Sequence, residues 1–98
     1  MFLNKYLDSF YYGLVYDNYD SSYLESIDEN NFVRVYNIFS KYNFYFINDI
    51  ILNYMELFEM EHNDVENGIL RLKDKLGNDF VYIIGNDMRY LDEIISEN

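Results

Sequence analysis

The sequence predicts an all-α protein, a compact bundle of about five to six short helices in a single domain spanning residues 1–98. Three observations predict it. Apolar residues recur at three- and four-residue intervals along most of the chain. Residues that start and stop helices stand between these stripes, and proline is absent. A chain of 98 residues is enough for one hydrophobic core and too short for two domains.

Leu3, Tyr6, Leu7, Phe10 and Leu14 form the first stripe, with Gly13 weakening the helix near its end. Residues 16–20 read as a loop. Ser22-Tyr23-Leu24-Glu25 has the spacing of a capping box and opens a short helix through Ile27. Asp28 or Asn30 caps the next helix, whose apolar face is Phe32, Val35, Tyr36, Phe39 and Tyr42. Asn43 is a break. Ile47, Ile50, Ile51, Tyr54, Leu57 and Phe58 give the clearest stripe in the chain. Asn63-Asp64-Val65-Glu66 opens another helix, with Val65, Ile69, Leu72 and Leu76 inside, cations in its last turns, and Gly77 beyond its end. Phe80 to Ile84 fits either a buried strand or a short helix, because five apolar residues carry no decisive period. Gly85-Asn86-Asp87 breaks this segment, and Asp87 caps a final helix through Met88, Leu91, Ile94 and Ile95. Tyr and Phe favour sheets, so an α+β alternative stays open, with a small sheet from the Tyr-rich N-terminal region and 80–84.

The formal net charge is −11, from 18 acidic and 7 basic residues. Such a field repels nucleic-acid phosphates and anionic lipid, and attracts basic surfaces, of which nucleic-acid grooves on other proteins are the commonest. The abundance of Asn, Ile, Tyr and Phe matches an AT-rich codon vocabulary, yet only four lysines occur, so the acidity is not a by-product of codon usage. No cysteine is present, which removes thiolate chemistry and suits a reducing cytosol. No apolar run is long enough to span a bilayer, and the N-terminus does not read as a signal peptide.

Catalytic chemistry finds little to work with. His62 is the only histidine, flanked by Glu59, Glu61, Asp64 and Glu66, and reads as a solvated residue at a helix junction. Asp17, Tyr19, Ser21 and Asp28 fall near an EF-hand frame, but the sixth position is Ser22 and the twelfth is not Glu. Gly77-Asn78-Asp79 and Gly85-Asn86-Asp87 read as helix punctuation, not as phosphate loops. The expectation is a non-enzyme with no cofactor and no metal.

The constellation that stands out is acidic and aromatic. Residues 8–29 and 42–70 carry acids without a single Lys or Arg. The first stretch interleaves Tyr11, Tyr12, Tyr16, Tyr19 and Tyr23 with Asp17, Asp20, Glu25, Asp28 and Glu29; the second supplies Glu56, Glu59 and Glu61. Carboxylates steer toward and pair with Arg and Lys, while tyrosines offer rigid contact area and cation–π faces. These thirteen residues are the expected partner-binding set, with some of the five tyrosines pointing outward.

Two resemblances follow. Residues 47–95, with Leu57-Phe58, the Val65–Leu76 stripe closed by Gly77, and then 80–84, resemble one helical unit of the mitochondrial transcription terminator fold. That family binds nucleic acid through a basic face, which this chain lacks, so the likeness implies fold and not activity. In size, acidity and absence of motifs the chain also resembles small phage-encoded anti-defence proteins, the anti-CRISPRs and DNA mimics, and colicin-type immunity proteins. That resemblance implies a cytoplasmic inhibitor, in an infected or host bacterial cell, that blocks a basic nuclease or Cas effector without catalysis. The alternative is a structural or regulatory interaction domain, a homodimer burying its Tyr-rich segment.

Overall fold

The computed structural model describes residues 1–96, and within them every regular element is helical. A 3₁₀ turn, Phe2–Lys5, precedes α1 (Ser9–Asn18), α2 (Ser21–Glu25) and α3 (Glu29–Lys41). Then come α4 (Ile47–Asn53), a 3₁₀ turn at Met55–Phe58, α5 (His62–Leu76), α6 (Phe80–Asn86), a 3₁₀ turn at Met88–Leu91, and α7 (Asp92–Ser96). The all-α expectation holds, in more and shorter pieces than the stripes implied.

Acidic caps cause much of the subdivision. Asp8 accepts the Tyr11 N–H at 3.1 Å and starts α1, which splits the helix expected through Leu3 and Leu14. Asp20, not Ser22, caps α2; Asp28 caps α3; and Glu61, not Asn63, caps α5 by accepting from the Asn63 and Asp64 N–H groups. Residues 16–18, expected as loop, are the last turn of α1. Asn43 breaks the chain as expected, in the left-handed region at φ 64. Gly77 ends α5 at φ 85.

The 80–84 ambiguity resolves as helix, and burial shows why. Phe80 and Ile84 are buried while Tyr82 is 66% exposed. A strand would turn 80, 82 and 84 to one face; a helix separates 82 from the other two. The break falls within Gly85-Asn86-Asp87 as expected, with Gly85 still inside the helix and Asp87 beyond its end. Gly85 lies under the Tyr45 hydroxyl and the Phe46 ring, where an added Cβ would stand 3.1 Å from Phe46 Cε1, so its role is close approach.

α3 lies centrally, against α5 on one side and the Met55–Phe58 turn on the other, while α1 packs on α4 and α7 on α5. Phe32 of α3 stacks on Phe58 at 4.7 Å between ring centroids, and Phe39 meets Phe44 edge-on at 5.1 Å. Phe44 in turn reaches Phe80 at 6.0 Å, which ties α6 to the same core. The described residues bury no charged side chain. The radius of gyration, 13.1 Å, is that of one compact body of this length.

Candidate protein-docking site

Folding joins the two acidic stretches. α1 packs on α4, and tyrosine hydroxyls from α1, its C-terminal end and α2 make the connection to the second stretch. Tyr11 donates to Asp49 at 2.7 Å, Tyr19 to the Leu52 carbonyl at 2.8 Å, and Tyr23 to Glu59 at 2.5 Å. Asn48 adds a longer contact to Asp8 at 3.4 Å. The Tyr12 and Tyr16 rings pack at 4.5 Å between centroids with their planes tilted by 38°, and the Tyr16 hydroxyl meets the Met1 thioether.

This corrects the expectation for the rings. Tyr11, Tyr12, Tyr16, Tyr19 and Tyr23 are all half-buried against the core, so none is a fully exposed docking ring. The polar segment hides five rings because the rim of each sheet of aromatic surface ends in a hydroxyl, and three of those hydroxyls find acceptors across the α1/α2–α4 seam. Tyr11, Tyr19 and Tyr23 are struts that hold the acidic stretches together.

The seam is electrically one-sided. The hydrogen bond to Asp49, followed by burial, raises the Tyr11 phenol above its ordinary value. Burial and the nearby Glu56 raise Tyr19; burial, the Glu59 hydrogen bond and Glu56 raise Tyr23. Burial, Tyr12 and Glu25 push Tyr16 to about 12. Carboxylates and neighbouring phenols act on these rings; cations do not. Elsewhere acids are answered by cations: Lys41 pairs with Glu66 at 2.8 Å, Lys75 with Glu93 at 3.0 Å, and Arg89 with Asp87 at 2.8 Å.

The predicted acids divide into two groups. Asp20, Asp28 and Glu61 are exposed but serve as helix caps, and Glu59 receives Tyr23. Asp17, Glu25, Glu29 and Glu56 are exposed, and among the described residues their side chains enter no hydrogen bond or ion pair. These four are the carboxylates free to meet a partner. The sequence reading missed Phe10, which is 70% exposed on α1 beside the capping Asp8. Its place in the Leu3–Leu14 stripe concealed it, since that stripe assumes one unbroken helix.

His62 opens α5 with its Nδ1 3.1 Å from Glu61 Oε1. Among the described residues, no group of three or more His, Asp or Glu side chains is arranged to hold a metal ion, the EF-hand-like positions included. No helix among them is long and apolar enough to cross a membrane.

No protein-family model matches this chain, and no curated protein or solved structure matches it either. Those comparisons therefore add nothing to the likeness between residues 47–95 and a transcription-terminator repeat.

Proposed function

We propose that this protein is a non-catalytic acidic inhibitor, anti-CRISPR-like, which binds a basic nucleic-acid-binding surface on a partner protein and blocks it. The partner class is a nuclease or Cas effector, and the setting is the cytoplasm of an infected or host bacterial cell. The observation that carries this reading is the seam. Two stretches without Lys or Arg fold onto one another, and Asp17, Glu25, Glu29 and Glu56 are left without cationic partners among the described residues. Tyrosines buttress these stretches from beneath, so the negative surface is organised before a partner arrives, which lowers the ordering cost of binding.

Such a surface accelerates encounter with a cationic groove and excludes the groove's nucleic acid by occupancy and by repulsion. The test is affinity for a panel of nucleases and Cas effectors across a salt series. The Debye length shrinks from about 10 Å at 0.1 M to about 3 Å at 1 M, so association slows steeply if charge steers it. Affinity that ignores salt, or a panel with no binder, refutes the reading.

A second reading has its own observation. Phe10 presents an aromatic ring on the outer side of α1, and added bulk at Gly13 on the same helix would meet nothing. A homodimer through α1 would cover that ring, and light scattering on dilution separates it from a monomeric inhibitor.

A further inference from the structure

A groove runs between the chain start, α1 and the corner where α2 meets α3. It measures about 510 Å³, within the usual range for ligand pockets of about 300–1,000 Å³. Its lining mixes polar and apolar surface; Met1, Phe2, Leu24, Ile27 and the Tyr16 ring supply the apolar part. Two carboxylates complete the lining, Glu25 at the last residue of α2 and Glu29 at the first of α3, and no Lys or Arg lines it.

We propose that this groove is the socket for an arginine side chain projecting from the basic partner. The proposal rests on the inhibitor reading above and locates its anchor point. An arginine has an apolar stem and a charged planar head. The stem matches the apolar surface offered by Phe2 and the edge of Ile27. The head matches a site with two carboxylates and a phenol ring, because guanidinium offers five donors in a flat fork and stacks on aromatic faces. Lysine fits less well, being a compact, strongly hydrated point charge that can neither fork between two carboxylates nor stack on Tyr16.

The remaining occupants are disfavoured by the same lining. Phosphate and other anions meet Glu25 and Glu29. A purely apolar side chain would cover two carboxylates and leave them unpaired, which is costly. A second copy of this chain would bring another strongly negative molecule to a negative site. Neither Glu25 nor Glu29 has a side-chain partner to give up among the described residues, so a guanidinium enters without breaking an existing ion pair. A buried, paired arginine at the centre of a contact is the kind of residue that dominates interface energetics.

The experiment is an amide-resolved NMR titration with n-butylguanidinium, a stem and head without the rest of a partner, with n-butanol as the apolar control. The expected result is saturable shifts confined to Tyr16, Leu24, Glu25, Ile27 and Glu29, with n-butanol inert. The double variant Glu25→Gln, Glu29→Gln keeps its fold and weakens the titration at least about tenfold, the factor expected when charge-assisted hydrogen bonds are lost. Unsaturable shifts spread across Asp8, Asp17, Asp20 and Glu56, or a double variant that titrates like the parent, overturn the socket. So does dimerisation abolished by that double variant, which would make a second copy the occupant. The nuclease panel fails or succeeds independently: panel binding with a silent groove sinks only the socket, and a saturable groove with an empty panel sinks only the inhibitor reading.

Discussion

Removing the Tyr23 hydroxyl tests whether the tyrosines are struts or docking contacts. Tyr23→Phe keeps the ring and its packing and deletes one donor, the one that reaches Glu59 at 2.5 Å. A hydrogen bond to a charged group contributes about 1.5–3 kcal/mol. Glu59 is exposed and regains water when the donor goes, so the loss falls at or below the lower end, about 1–1.5 kcal/mol. For a domain near 100 residues each kcal/mol moves Tm by about 4–8 °C, so the variant should melt about 4–12 °C lower. Tyr11→Phe removes the separate bond to Asp49, and with no shared partner the two losses should add to about 2–3 kcal/mol. The assay is thermal unfolding followed by circular dichroism, run beside partner binding. Strut tyrosines predict a lower Tm with affinity unchanged. A double variant that melts with the parent and loses affinity would refute the strut assignment and restore the rings as contact residues.

Four further outcomes follow from the same contacts. Tyr16 and Tyr23 have phenols raised above 10.0 in the folded chain, so their contribution to stability is complete below pH 10 and disappears as pH climbs through the folded values; phenolate absorbance should show late-titrating tyrosines released together with alkaline unfolding. Lys41, and then Tyr42, hold the Glu66 carboxyl below its usual 4.5, so Glu66 stabilises above that pH and loses its contribution in acid; Glu66→Gln should flatten the acid limb of a pH–Tm profile. Gly77→Ala forces a Cβ into a glycine-only backbone region at φ 85, ψ −166, and denaturant unfolding should show a loss of about 1–3 kcal/mol although nothing crowds the site. Phe10→Ser touches an exposed ring, so stability should stay within about 0.5 kcal/mol while binding through α1, to a partner or a second copy, weakens in a pull-down or light-scattering assay.

Long stripes with clear ends were legible. α3 buries Phe32, Val35 and Phe39 as their spacing requires, Asn43 supplies the left-handed break, and α5 runs to Gly77. Boundaries set by competition among caps were not. Both Ser22 and Asn63 carry capping-box spacing, yet Asp20 and Glu61 take those positions, because a chain this rich in acids and Asn offers several capping side chains within two residues of each start. Asp8 shows the larger consequence: one carboxylate reaching back to the Tyr11 N–H divides a stripe that the apolar pattern alone reads as continuous, and it turns Phe10 outward.

The sequence by itself determined the helical class, the negative charge and the absence of Lys and Arg from two long stretches, because period and composition are local or additive properties. Only the tertiary structure decided that those stretches lie together, that Tyr11, Tyr19 and Tyr23 are spent binding one to the other, and that Asp17, Glu25, Glu29 and Glu56 remain unpartnered among the described residues. A tyrosine is amphipathic and serves a core edge or an interface equally well. Which it serves depends on whether an acceptor lies within reach of its hydroxyl, and for Tyr11 and Tyr23 those acceptors are 38 and 36 residues away along the chain.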